Sequence, residues 1–308
     1  MRINRVDNVG SVSFQRKPNV QEMRVYTRSL KEGLDLLNKR VDIILHNSSA
    51  PSVPSENTGI GSLFSRTTAK KLIPFLRAHG ITGIQQEPNG LRKTFDNSPY
   101  SPEASAKNIY TIPLEKLASG EYHNLLSRET FKRIVKSKPS PDNVDYDYVA
   151  KSYDSALREA YENFKKGTFL KPEFERFKAE HGEKLESGAI YRILNDHYRR
   201  NWTEWDGIDR NLYAPTNPDE ARMASQRLQE LRAKYQDEID FYIFEQMLVE
   251  RENQASNELS LRSGISIIGD SPVATPAADE WVNQNLFLPG KALGCPPDAF
   301  SARSRRCP

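Results

Sequence analysis

Residues 264–301, GISIIGDSPVATPAADEWVNQNLFLPGKALGCPPDAFS, constrain this chain more than any other stretch. A β-branched run, Ile265, Ile267 and Ile268, stops abruptly at Gly269-Asp270 and opens into a loop rich in proline. A strand that ends this way holds a carboxylate at its C-terminal end. In a parallel (β/α) barrel, that rim is where substrates bind and chemistry happens. A generic strand whose Asp merely caps the next helix is the plainer alternative.

Two more strands are expected upstream. Val41–Leu45 (VDIIL) runs into His46-Asn47-Ser48-Ser49, and Gly80-Ile81 begins a second strand that reaches Ile84 and Gln85. Between them lie a Ser/Pro/Gly loop that ends in Gly59-Ile60-Gly61 and a helix over Thr67–Ala78, whose regularity Pro74 limits. Residues 21–39 carry Met23, Tyr26, Leu30, Leu34 and Leu37 at helical spacing. IYTIPLEKL, residues 109–117, reads as strand-like.

From Asp142 to about Ile265 the pattern turns helical. Tyr146, Val149, Tyr153, Ala156, Leu157, Ala160 and Phe164 form one stripe that ends at Gly167. Pro172–Glu180 and Ala189–Arg199 read as two further helices, and another starts after Asn217-Pro218. Phe241–Val249 is apolar nearly all round, so that part is expected to be buried. No fixed-period repeat supports a solenoid.

Composition narrows the function. Net charge is only +3 from 44 basic and 41 acidic residues, without the concentrated basic patch that nucleic-acid binding wants. No apolar run is long enough to span a membrane, and residues 1–19 lack the apolar core of a secretory signal. Cys295 and Cys307 are the two cysteines, too few for a disulfide framework or a cysteine zinc site, so a reducing cytoplasm is expected and neither a metal nor a cofactor.

Three motifs in order, GDSP (269–272), ADEWVNQNLF (278–287) and GCPPDAFS (294–301), make this chain resemble the amylomaltases, the 4-α-glucanotransferases of glycoside hydrolase family 77. The GIG element, Ser98-Pro99-Tyr100 with the downstream Asn108, Trp202 and Trp205 in NWTEWDG, and the Phe244–Gln246 region fit the same pattern. Gln85-Gln86-Glu87-Pro88 departs from it, standing where the family has an aromatic and a Leu-Pro pair.

The resemblance implies an α/β fold, the N-terminal part of a (β/α)8 TIM barrel with a large all-helical insertion. The expected divisions are a flexible tail at 1–20, first barrel strands and substrate loops at 21–141, the helical insertion at 142–263, and a third barrel strand with an acceptor-side loop at 264–301. Residues 302–308 are expected to be an aberrant tail.

The resemblance also implies transfer of a segment of a 1,4-α-glucan to glucose or another glucan by retaining double displacement, which needs a nucleophilic and an acid/base carboxylate about 5–5.5 Å apart. Maltodextrins and other α-1,4-glucans are the implied partners. Tyr100 and Asp270 carry over as substrate-binding residues, with Ser98 and Asp298 behind them. Taken alone, Ser-Pro-Tyr is an ordinary turn, both Trp suit packing better than sugar contacts, Asp298 suits loop structuring equally well, and His46 receives no catalytic role.

No Arg-x-Asp-His motif, which carries the family's nucleophile, occurs here. The nucleophilic Asp and the acid/base Glu are therefore expected on later barrel strands, beyond Pro308, and no catalytic residue is assigned within the chain. The Arg/Ser/Cys-rich residues 302–308 are expected to come from a frameshifted or truncated frame, leaving the chain poorly folded and inactive alone. A non-catalytic α-glucan-binding or interaction protein of the same fold is the alternative.

Overall fold

The computed structural model describes residues 20–37, 40–91, 102–140, 143–272, 275–288, 294–295 and 305–306. Three short strands, β1 (Asp42–Ile44), β2 (Gly83–Gln85) and β5 (Ser266–Ile268), pair in parallel in the order β1-β2-β5. Ile43 lies opposite Ile84 and Ile84 opposite Ile267. Leu45 N–H donates to Gln85 O, and Gln86 N–H donates to Ile268 O, both at 2.9 Å, so the pairing runs just past the strand ends. All three C-termini therefore meet on one rim. Ile84 at the centre is 1% exposed.

An antiparallel pair, β3 (Gly90–Leu91) with β4 (Glu103–Lys107), stands beyond β2. A Cβ at Gly90 would fall 2.1 Å from Glu103 O, so only glycine allows the two backbones to approach so closely. A second small antiparallel pair joins β6 (Gly294–Cys295) to β7 (Arg305–Arg306).

Eight helices accompany these strands among the described residues. The first, α1 (Val20–Leu37), lies where the apolar spacing predicts it, with Leu34 against Gly80 and Thr27 Oγ1 2.7 Å from His79 Nε2. The helix expected over 67–78 opens with a π-helical turn, Thr68–Leu72, before α2 (Ile73–Ala78). Pro74 has no N–H to donate to the preceding turn, which explains the irregularity.

Residues 109–117 are a correction to the sequence reading. They form a 3-10 turn, Ile109–Thr111, and the single-turn helix α3 (Leu114–Leu117), while the strand falls just before them, in β4. Asn108 is the reason: its side chain accepts the Tyr110 N–H at 3.1 Å and turns the chain out of extended geometry.

Next come α4 (Arg128–Ser137), capped by Ser127, and α5 (Tyr146–Lys166), capped by Asp145 and closed at Gly167 as its stripe predicts. The following helix is a second correction. The sequence pattern predicts two helices, yet α6 runs unbroken over Lys171–Tyr198. Gly182 and Gly188 look like breaks in sequence. In the fold, a Cβ at Gly188 would meet Tyr242 Oη at 2.7 Å, so the glycine admits the tyrosine of the facing helix.

That facing helix, α7 (Pro218–Arg262), is 45 residues long, or about 67 Å at 1.5 Å per residue. Asn217 Oδ1 accepts from the Asp219 and Glu220 N–H groups, and the helix kinks at Tyr235 (φ −121°, ψ 26°). Phe241 to Val249 are all 3% exposed or less, as their apolar run predicts. The last helix is α8 (Ala277–Val282). Ile84 and Ile265 share one apolar core with Phe164, Tyr242 and Phe244 of the helices. No helix among the described residues is long and apolar enough to cross a membrane.

Candidate functional site

At the rim, the parallel strands, the β3–β4 pair and the helices enclose a half-open cavity of about 480 Å³. That lies within the roughly 300–1,000 Å³ of small-molecule sites. Pro88 and Asn89 follow β2, Asp270 and Pro272 follow β5, and Ser105 and Lys107 come from β4. The helical wall is Phe177, His181 and Lys184 of α6 with Gln246 and Glu250 of α7.

Gln246 fixes this wall to β4. Its Oε1 accepts the Lys107 N–H at 2.7 Å and its Nε2 donates to Lys107 O at 3.1 Å, so one buried amide satisfies a whole peptide edge. Lys107 Nζ lies 3.3 Å from Glu250 Oε2, half-exposed and therefore weak as an ion pair. One residue before Gln246, the fully buried Glu245 pairs with Arg192 Nη1 at 2.8 Å. Burial raises the Glu245 carboxyl above its ordinary pKa, and the Arg192 guanidinium opposes that rise. This pair braces α6 against α7 from the side away from the cavity lining.

The loop after β5 is held by an aromatic cluster. Trp281 is 0% exposed, packs on Tyr191, Trp205 and Tyr213, and donates its indole N–H to Asp209 O at 2.9 Å. Asp209 is in turn gripped by Arg227, at 2.8 and 3.0 Å, and by Tyr198 at 3.0 Å. The tryptophan thus sets where the segment after Asp270 can go. Trp205, at 3% exposed, has the packing role its sequence context suggests.

Asp270 itself is exposed on the cavity lip, its Oδ1 accepting the Ser271 N–H at 2.9 Å. Tyr100, Ser98 and Asp298 lie outside the described residues. So does Pro308, the residue beyond which the nucleophile and the acid/base are expected. The departing segment after β2 has a structural use: Glu87, 3% exposed, accepts from Ser48 Oγ at 3.0 Å and stands 3.1 Å from His46 Nδ1, tying the loop after β1 to the loop after β2.

Sequence reasoning missed Asn89, Phe177, His181 and Glu250, because nothing in a helical stripe says which side chains will face a cavity. The available signal was the polar pair Glu245-Gln246 inside the apolar run 241–249, of which Gln246 lines the cavity. Among the described residues, no group of three His, Cys, Asp or Glu side chains is arranged to hold a metal.

Residues 49–304 match the family model described as 4-alpha-glucanotransferase, glycoside hydrolase 77. The chain belongs to that family. Its relatives there include the 4-alpha-glucanotransferase of Aquifex aeolicus, 28% identical over 269 residues, which cover 84% of this chain and 50% of the relative. The chloroplastic/amyloplastic 4-alpha-glucanotransferase of Solanum tuberosum is 29% identical over 279 residues, 85% of this chain and 44% of the relative.

The fold is similar to that of the family's amylomaltase from Streptococcus agalactiae, a structure solved in complex with acarbose. The TM-score is 0.73 at 23% identity, over 87% of this chain and 52% of that one. This chain spans about half the length of the curated relatives it matches.

Proposed function

We propose that this chain is the substrate-holding part of a 4-α-glucanotransferase, built on the first strands of a (β/α)8 barrel with a helical insertion over 142–263. One observation supports it above the others: a cavity of about 480 Å³ on the C-terminal rim of three parallel strands, with Asp270 on its lip. Such a rim is where barrel enzymes bind their substrates.

In this reading Asp270 and Tyr100 hydrogen-bond or stack against an α-1,4-glucan, and Ser98 and Asp298 lie beside them. The glucan segment passes to glucose or another glucan by retaining double displacement. The nucleophile and acid/base carboxylates belong to the half of the relatives' length that this chain does not match. The reaction takes place in the cytoplasm.

Titration calorimetry with maltoheptaose, run beside an assay of glucose release from maltotriose, tests the reading. Residues 1–308 bind maltoheptaose, and they release glucose only when joined to a family C-terminal half. Absence of maltoheptaose binding by a cooperatively melting chain sinks the proposal. Binding that never yields transfer in the joined protein points instead to a glucan-binding protein.

A further inference from the structure

We infer that helices α6 and α7 build a sugar subsite of their own in this cavity, with Asn89 and Glu250 taking hydroxyl hydrogens and Phe177 meeting the ring face. This inference rests on the glucan-binding reading above and names the residues that carry it. Two buried acceptor atoms, Asn89 Oδ1 and Glu250 Oε2, have no hydrogen-bond donor, and both residues line the cavity. A buried acceptor without a donor is costly, and native folds seldom keep one without a reason. Lys107 Nζ approaches Glu250 Oε2 at 3.3 Å without completing a hydrogen bond.

The two acceptors belong to different elements, one on the loop after β2 and one on α7. A single ligand satisfies both when it carries several hydrogen-bond donors along its length, as a polyol does. The third wall suits the same ligand. Phe177 and His181 stand one helical turn apart on α6, ring centroids 4.7 Å apart and tilted by 56°. Phe177 is half-buried and His181 exposed, giving a fixed apolar face beside a ring nitrogen. Sugars present C–H faces and equatorial hydroxyls together, which such a pair accommodates.

Charge argues against an anion. Glu103, Glu250 and Asp270 outnumber Lys107 and Lys184 around the opening, so a phosphate or acidic peptide meets net repulsion.

The experiment is calorimetric titration of maltoheptaose into the full chain and three variants, each checked by thermal melting. Glu250→Gln exchanges one acceptor oxygen for a donor and weakens binding roughly tenfold or more, since hydrogen bonds to a charged acceptor are worth that much. Phe177→Ala weakens it by about tenfold through the lost ring face. Glu258→Gln removes an exposed carboxylate two turns further along α7 and away from the cavity, so it binds as the parent does.

A Glu258→Gln loss equal to that of Glu250→Gln assigns the effect to the general charge of α7 and overturns the inference. Parent-like binding by both Glu250→Gln and Phe177→Ala overturns it while the glucan-binding reading stands. Absence of binding by the parent removes both. If Glu250→Gln fails to fold, Phe177→Ala decides alone.

Discussion

The parallel sheet and the helical layer sit side by side in one core, yet they are built to different standards. Each of β1, β2 and β5 is three residues long, and Ile44 on β1 is 72% exposed. In α7, nine consecutive residues from Phe241 to Val249 are 3% exposed or less. The sheet supplies the rim where a substrate would sit, and the helices supply the burial that holds the rim in place. Burial of apolar surface, at about 25 cal/mol per Å², is what makes the second contribution large. Stability and site placement are therefore separable here, and mutations can pull them apart.

The largest effect belongs to the helical layer. Phe244→Ala removes a 0%-exposed ring that packs 4.8 Å from Phe164 and 5.4 Å from Tyr161, and lowers stability by about 3–5 kcal/mol in a denaturant titration. A loss below about 1 kcal/mol breaks the contrast, because the helices would then not be the anchor.

The second effect tests the short helix α3 where it meets Arg66. Glu115 is 7% exposed and accepts the Arg66 N–H at 3.1 Å, and burial pushes its carboxyl up to about 7. The folded state then keeps a proton that the unfolded chain releases at its lower pKa. Its stabilisation is complete below the unfolded pKa and is lost as pH rises through about 7. Thermal melts between pH 5 and pH 8 show the parent losing up to about 3 kcal/mol relative to Glu115→Gln, at roughly 1.4 kcal/mol per pH unit. Parallel pH profiles for the two proteins remove Glu115 from the account.

The smallest effect is on the sheet itself. Ile44→Ser at a 72%-exposed position changes stability by no more than about 0.5 kcal/mol in the same titration. A cost of several kcal/mol means that β1 is covered in solution and that the sheet is as well anchored as the helices.

Much of this division was legible in the sequence. β-branched runs ending in His46-Asn47 and Gly269-Asp270 marked two strands within a residue or two, and Asn217-Pro218 marked the start of α7. Local chemistry decided those points. Where partners far away in the chain decide, the sequence misled. Gly188 looks like a helix end until Tyr242, 54 residues later, is seen against it. The Ile109–Leu117 segment has the apolar content of a strand, but one Asn108 side chain is enough to turn it. The cavity was the least legible part. Asp270 was found because it ends a strand, whereas Asn89, Phe177 and Glu250 meet only after three elements have packed.

The order of the sheet carries a consequence in time. β2 lies between β1, whose last residue is 39 positions before it, and β5, whose first residue is 181 positions after Gln85. A chain made N-terminus first at about 5–20 residues per second finishes β2 roughly 10–40 s before β5 exists. Throughout that interval one edge of the central strand waits, and the helices α5 to α7 complete their own local contacts first. The strand that precedes Asp270 is then delivered by the end of an already formed α7. Synthesis of α5 to α7 thus times the assembly of the rim, and the nascent β2 edge stays open to mispairing until β5 arrives.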